Sequence, residues 1–225
     1  MKKFLIFALS MVVLISCEKE SSDSVDQDKI FASYVLDYSG NQDITYARAN
    51  FHFSNVTGTK LELAEPAQVT IDGDIIPFKP LLALYEKEFI GVKTSGNFYY
   101  IDVDGNEFNN TVTMVDSIDF PTGIDTLSRT ENFELTWIGS PVGQDEVVTV
   151  VIVSPGLASS QLFTQTGVGA TSIMLTQDKL QNLVLENAQF TIRRSKNVTA
   201  QEVTSAGGNV IARFNSSPMT VYIKP

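Results

Sequence analysis

The chain has one histidine and one cysteine in 225 residues, His52 and Cys17. A Ser–His–Asp or Cys–His arrangement for nucleophilic catalysis would have to use His52. His52 alternates with the apolar residues Phe51 and Phe53, which predicts a position on the outer face of a strand. The GxSxG and HExxH motifs and the phosphate-binding GxxxxGK motif are absent from the sequence. The residue types and the missing motifs therefore predict a non-enzymatic protein, and we assign no catalytic residue.

Carboxylates are plentiful, and two clusters space them as oxygen ligands. Asp102 and Asp104 stand at alternate positions of DVDGNE, as ligands do in calcium loops, and Asp72-Gly73-Asp74 is a thinner cluster. Asp-Gly pairs are also typical of β-hairpin turns, which is the alternative interpretation of both. Asp102 and Asp104 are therefore the candidate calcium ligands, and no other cofactor is indicated. A glycosidase that uses paired carboxylates is the least favoured function.

Surface recognition is the remaining chemistry that these residue types support. Two arginines near a predicted strand end, Arg193 and Arg194, suit an anionic group, although charges at a sheet edge also prevent aggregation. Aromatic side chains stack on sugar rings but are also typical of a β core. The aromatic residues that share a strand face in pairs are Tyr34, Tyr38, Phe98 and Tyr100.

The elements that must position these residues are mostly strands. From Ile30 onward apolar and polar residues alternate, most clearly over 44–53, which predicts half-buried strands. Residues 146–153 are almost all β-branched and predict a central strand covered on both sides. A hairpin is predicted around Asp104-Gly105. The exception is a helix predicted over 177–186, with Thr176 as its N-cap.

Short strands at regular spacing predict an all-β protein. We expect two tandem immunoglobulin-like antiparallel β-sandwiches, over residues 30–114 and 115–225, with one short helix in the second. These segments have about 85 and about 110 residues, which are natural sizes for such a sandwich. A single continuous sandwich of about 195 residues is the alternative.

The first seventeen residues form a distinct segment. Lys2 and Lys3 precede an apolar run from Phe4 to Ile15, which is too short to span a bilayer. The run ends in Leu-Ile-Ser-Cys, which resembles the lipobox of bacterial lipoproteins. The resemblance implies that residues 1–16 are a signal peptide and that Cys17 becomes the lipid-modified N-terminus. Acyl chains at ~0.8 kcal/mol per buried methylene then hold the protein on the membrane.

Residues 17–29 are predicted to be the lipidated cysteine and a flexible tether, because Val25 is the only apolar residue from Glu18 to Lys29. The residues following Cys17, Glu-Lys-Glu, resemble the signal that sends lipoproteins of the Bacteroidota to the cell surface. The O-glycosylation motif of that phylum is resembled at three places. The acceptor residues that this resemblance implies are Ser24, Ser117 and Thr126.

The net charge of the protein limits the classes of partner that it can bind. Loss of residues 1–16 removes Lys2 and Lys3 and changes the net charge from −10 to −12. Such a protein repels nucleic acid. We therefore expect a non-enzymatic lipoprotein of the cell envelope, anchored in the outer membrane and surface-exposed if the export signal acts. It would serve as an adhesion, scaffold or accessory binding module with a protein or polysaccharide partner. The alternative is a carbohydrate-binding lipoprotein of a glycan-uptake system.

Overall fold

The computed structural model describes residues 20–155 and 160–225. They form an all-β body with one short α-helix, α1 (Gln177–Leu180), which confirms the predicted fold class at this level. The strands are, in chain order, β1 (Glu20–Ser21), β2 (Ile30–Ser39), β3 (Ile44–Phe53), β4 (Lys60–Glu62), β5 (Gln68–Ile71), β6 (Asp74–Ile75), β7 (Phe78–Lys79), β8 (Leu84–Ile90), β9 (Ser95–Ile101), β10 (Glu107–Thr113), β11 (Ile118–Asp119), β12 (Thr126–Ser128), β13 (Phe133–Thr136), β14 (Ile138–Gly139), β15 (Glu146–Val153), β16 (Gln161–Gln165), β17 (Ser172–Leu175), β18 (Asn187–Thr199), β19 (Gly208–Asn215) and β20 (Met219–Lys224).

Strand β3 shows how the alternation in the sequence makes a two-sided sheet. Ala47, Ala49 and Phe51 are buried, whereas Arg48 and His52 point to the opposite face and are half-buried. Successive side chains of a strand point to opposite sides, so one face packs on a core and the other meets solvent.

One large sheet runs the length of the body. Within the described residues it has twelve strands, in the order β1-β4-β3-β2-β19-β18-β15-β16 along its main path. Three of its pairings are parallel, β1 with β4, β12 with β20 and β19 with β2, which differs from the purely antiparallel sheets that we expected. The parallel pair β19–β2 joins the end of the chain to its beginning.

Two hydrophobic cores pack against this sheet. The first lies between β2, β3 and β19 and a four-stranded sheet of order β10-β9-β5-β6, and Tyr34, Phe51 and Phe98 are at its centre. The second lies between β15, β18 and β20 and the two-stranded sheets β11–β14 and β13–β17, and it contains Trp137 and Phe190.

The cores do not divide the chain at residue 115. Ala200, Val210 and Ala212 follow that position but belong to the first core. The reason is β18, whose thirteen residues pair with β20 over Asn187–Phe190 and with β19 over Arg193–Thr199. Strand β18 therefore passes from the second core to the first, so residues after position 115 contribute to both cores.

Two local predictions also differ from the structure. Strand β15 pairs with β16 and β18 and is central, as predicted, but its outward residues Val147 and Val151 are only half-buried and Val153 is 48% exposed. A β-branched run fits a strand whether or not a second layer covers it.

The predicted helix over 177–186 ends at Leu180. Asn182 and Leu183 donate to carbonyls three residues back, so the chain leaves the α-helical pattern while Leu180 and Leu183 both stay buried. Thr176 takes the N-cap position without a capping bond from its side chain. Asn132, which is far from the helix in sequence, caps it instead: its Oδ1 accepts a hydrogen bond from the backbone N–H of Gln177 at 2.8 Å.

Residues 20–29 are part of the folded body rather than a flexible tether. Glu20 and Ser21 pair with β4, and Ser22 and Gln27 are buried. Ser22 Oγ accepts from the backbone N–H of Ala64 at 2.9 Å, and the Gln27 side chain donates to the carbonyl of Ser22 at 2.6 Å. Polar side chains that bond to backbone can order a segment whose composition indicates disorder. Cys17 and the predicted signal peptide lie outside the described residues.

Candidate functional site

A line of charged side chains crosses the outer face of the large sheet. Arg48 on β3 lies between two carboxylates, with its Nε 2.7 Å from Glu86 on β8 and its Nη1 2.9 Å from Asp37 on β2. Arg213 on β19 approaches the same Asp37 oxygen at 3.8 Å. Strands β8, β3, β2 and β19 are adjacent, so these side chains meet although they come from distant parts of the chain.

The line continues onto β18 through an amide. Asn215 donates to the other oxygen of Asp37 at 2.8 Å, and its own carbonyl oxygen accepts from Nε of Arg193 at 2.5 Å. Arg193 is exposed, and the side chains of Arg48 and Arg213 are 26% and 34% exposed. We call this set the arginine ladder: Glu86, Arg48, Asp37, Arg213, Asn215 and Arg193.

The arginine ladder carries an excess of positive charge. Its three arginines face two carboxylates in a chain whose overall charge is −10. Burial lowers the pKa of Arg213, Asp37 opposes that change, and the neighbouring charges of Arg193 and Arg48 lower the pKa further. The ladder therefore holds arginines close enough to repel one another, which an added anionic group would relieve.

A shallow depression of about 450 Å³ adjoins the ladder on the same face. Arg48 and Arg213 form part of its wall, and its other lining residues include His52, Lys60 and Leu82. Nδ1 of His52 is buried without a hydrogen-bond partner. Burial and then the charge of Lys60 lower the pKa of His52, so its neutral form is favoured. His52 lies on the outer face, as the alternation predicts.

The aromatic residues chosen as sugar platforms belong mostly to the core. Tyr34, Phe98 and Tyr100 are at most 1% exposed. Burial raises the pKa of the Tyr34 hydroxyl, and burial together with Asp102 raises that of Tyr100. Their rings pack against one another and against Phe51, with Tyr34 and Phe98 centroids 5.2 Å apart. Such buried rings have no face free for a sugar.

Tyr38 is the half-buried member of that group. Its ring centroid lies 4.7 Å from that of Phe214, and its hydroxyl donates to Asp43 at 2.9 Å. Its hydroxyl and one side of its ring are therefore engaged within the protein.

The candidate calcium ligands stabilise a turn. Asp102 is 1% exposed, and its Oδ1 accepts from the backbone N–H groups of Asp104 and Asn106 at 2.9 and 2.8 Å. Its Oδ2 accepts from the Asn106 side chain at 2.9 Å, while Asp104 is exposed. Over residues 20–155 and 160–225 no group of three or more His, Cys, Asp or Glu side chains could hold a metal ion. The geometry fits the hairpin turn better than a calcium loop.

Arg193 and Arg194 are adjacent in sequence, but the first is exposed and the second is buried. Arg193 is part of the arginine ladder, but Arg194 is fully buried at one end of the second core. Arg194 Nη1 lies 2.8 Å from Glu146 Oε2 and 3.0 Å from the carbonyl of Pro141, and Nη2 donates to the carbonyl of Ser140. Arg194 holds a loop together and is not available to a ligand.

The predicted modification sites have different standing. Ser24, Ser117 and Thr126 are all exposed, so an enzyme can reach each hydroxyl, and their glycosylation stays a prediction. Cys17 lies outside the described residues, and its lipidation also stays a prediction. In the part of the chain that the structure describes, no helix is long and apolar enough to cross a bilayer.

Sequence reasoning missed most of the arginine ladder. Alternation indicates that Arg48 faces outward, but its ion pairs with Asp37 and Glu86 depend on which strands are neighbours and in which register. The sequence does contain one relevant signal: alternation places Arg48, Asp37 and Glu86 each on the outward face of its own strand.

Comparisons with known proteins add little. No protein-family model matches the sequence, and no curated protein matches it. Among solved structures the chain is similar to a tetra-tandem repeat in the extending region of a large adhesion protein. The identity is 15% and the TM-score 0.25, over 85% of this chain and 49% of that one.

A second structure concerns host cell surface retention of a 1.5-MDa bacterial ice-binding adhesin. It is 14% identical with a TM-score of 0.23, over 85% of this chain and 64% of that one. The chain thus spans about half the length of the first structure and less than two thirds of the second. At these TM-scores the similarity carries no information on function.

Proposed function

We propose that this protein is a non-enzymatic lipoprotein of the bacterial outer membrane, anchored through Cys17, which acts as an adhesion, scaffold or accessory subunit by binding a protein partner. The observation that carries the binding role is the arginine ladder, a positively charged strip on the open face of a sheet in an otherwise acidic protein. The anchor rests on the lipobox resemblance.

An acidic protein surface is the partner that fits this strip. Arginine binds carboxylates through paired hydrogen bonds, and Arg193 retains donors that its single bond to Asn215 does not use. The face is a broad sheet surface, and the adjoining depression is shallow, which suits a protein partner more than a small molecule. Charge complementarity of this kind increases the rate and specificity of association.

The carbohydrate-binding alternative loses most of its support. It rested on four aromatic residues, of which Tyr34, Phe98 and Tyr100 are core residues and Tyr38 is engaged by Phe214. We therefore propose a protein rather than a polysaccharide as the partner.

We also infer that each core is an immunoglobulin-like sandwich that shares its main sheet with the other. Each packs two β layers face to face and uses about half of the folded chain, as such sandwiches do. A shared sheet would couple the two halves mechanically, which suits a scaffold.

Photocrosslinking in intact cells tests the proposed binding role. A photoreactive amino acid at Asn50, on the ladder face, should capture a membrane or surface protein, whereas the same probe at Thr113 on β10 should not. Arg193→Glu should abolish capture at Asn50, while Lys224→Glu, with the same charge change elsewhere on the surface, should leave it unchanged. Equal capture by both variants would refute the role of the arginine ladder.

A further inference from the structure

Two turns protrude at one end of the large sheet. Strands β4 and β8 both run antiparallel to β3, so the turn between β3 and β4 and the turn between β7 and β8 both lie toward the C-terminal end of β3. The first contains Val56 and the second contains Leu81 and Leu82. Val56 and Leu82 line the same depression, which shows that the turns are neighbours.

The tips of these turns are apolar and open to solvent. Leu81 is 101% exposed, and Val56 and Leu82 are 52% and 51% exposed. Lysines flank them: Nζ of Lys60 lies 3.5 Å from the carbonyl of Leu82, and Lys79 is exposed at the start of the second turn. A group of neighbouring exposed apolar side chains, unlike a single one, marks a surface that a protein or a membrane can cover. Apolar residues with lysines beside them are typical of segments that lie in the membrane interface.

Glu20, the first residue that the structure describes, also lies at this end. Glu20 pairs with Leu61, the residue after Lys60, and β1 runs parallel to β4, away from the turn that contains Val56. Only Glu18 and Lys19 separate Glu20 from Cys17, so the Cα atoms of Cys17 and Glu20 are at most ~11 Å apart. Because residues 20–29 are part of the folded body, they do not act as a spacer between Cys17 and the sheet.

We propose that this end of the sheet sits on the lipid bilayer, with Leu81, Leu82 and Val56 inserted at the headgroup boundary as a second membrane contact beside the lipid of Cys17. The proposal rests on the proposed lipoprotein anchor. The second contact would orient the folded part relative to the membrane, because one covalent and one apolar contact at the same end restrict rotation about the anchor. Arg48 then stands about 17 Å along β3 from that end, which places the arginine ladder above the headgroups.

The contact is apolar rather than electrostatic. A second depression at the same end is lined by acidic residues, among them Asp26, Asp28 and Glu107, and these oppose the attraction of Lys60 and Lys79 to anionic lipid. We therefore expect the contact to form on vesicles of zwitterionic phosphatidylcholine and phosphatidylethanolamine.

Fluorescence quenching on the lipid-bearing protein tests the contact. Leu81→Cys and Ile90→Cys are each labelled with an environment-sensitive fluorophore, since the lipid of Cys17 blocks the only other thiol. Ile90 is the matched control: it is 94% exposed and lies at the other end of β8, about 20 Å away along the strand. In vesicles the label at position 81 should be quenched by nitroxide lipids and protected from aqueous iodide. The label at position 90 should show the reverse.

Two results would overturn the proposal while leaving the anchor intact. Quenching of position 81 by iodide as strongly as position 90 would place the turn in water. Protection of position 81 from both quenchers would instead show that a protein, either a partner or a second copy, covers it. Mass spectrometry of the purified protein separates these results from failure of the anchor, because an unmodified Cys17 would refute the lipoprotein assignment and the membrane contact together.

Discussion

Replacement of Glu146 by alanine tests what the buried arginine of the second core requires. Arg194 is fully buried, and Glu146 is the carboxylate that neutralises it, at 2.8 Å. Removal of one partner of a buried ion pair typically costs 3–5 kcal/mol, because the remaining charge stays desolvated. Here the carbonyls of Ser140 and Pro141 still accept from Arg194, and the Glu146 side chain is 14% exposed. We therefore expect the lower end of that range, about 3 kcal/mol less free energy of unfolding.

Trp137 provides the assay. It is the only tryptophan, it is 5% exposed, and its indole N–H donates to the carbonyl of Ser140, which also accepts from Arg194. Its fluorescence during urea unfolding therefore reports on the loop that the ion pair holds. A loss of about 3 kcal/mol corresponds to a melting temperature lower by about 6–12 °C for a protein of this size.

The matched control is Glu134→Ala. The Glu134 side chain is exposed and accepts one hydrogen bond from the Ser172 hydroxyl, so its removal should change stability by no more than about 0.5 kcal/mol. A cost below about 1 kcal/mol for Glu146→Ala would show that Arg194 is neutralised without Glu146, and it would refute the reasoning.

Three further variants test other parts of the fold. Asn110→Ala should cost about 2 kcal/mol in urea unfolding, because the buried amide makes two bonds to the backbone of Glu202, and Asn109→Ala should cost much less. Burial lowers the pKa of His52 from 6.5, so folding stability should fall as the pH drops below about 6.5, and His52→Gln should reduce that fall in melting scans at pH 7.5 and 5.5. Burial raises the pKa of Tyr85 from 10 to about 12, so stability should be lost as the pH rises from 10 to 12. Tyr85→Phe should make that alkaline loss shallower, and an unchanged slope would contradict the raised pKa.

Period-two patterns predicted individual strands well because alternation is a local property. Strand β3 begins and ends at the predicted residues, and the turn at Asp104-Gly105 forms with Gly105 at a φ of +84°. Other local signals did less well. The β-branched run of β15 does not reveal how far a second layer covers the strand. The low apolar content of residues 20–29 predicted a tether, but hydrogen bonds of Ser22 and Gln27 replace apolar burial there.

The candidate site was harder to predict than the strands. The strand spacing of Tyr34, Phe98 and Tyr100 favoured a core over a sugar-binding surface, and the packing of the second sheet places them inside. Arg193 and Arg194 are adjacent in sequence but opposite in role, because neighbouring residues of a strand face opposite sides. One joins the exposed arginine ladder, and the other is buried beside Glu146.

The sequence by itself determined the all-β class, the outward position of His52 and the expectation of a lipid at Cys17. These depend on residue type, local alternation and a short motif. The tertiary structure decided that one sheet spans both cores, that the arginine ladder exists, and that Glu20 pairs with Leu61 at the end of the sheet where Leu81 is exposed. Each of these depends on pairing between strands far apart in the chain, such as β19 with β2, and many registers satisfy the same local pattern.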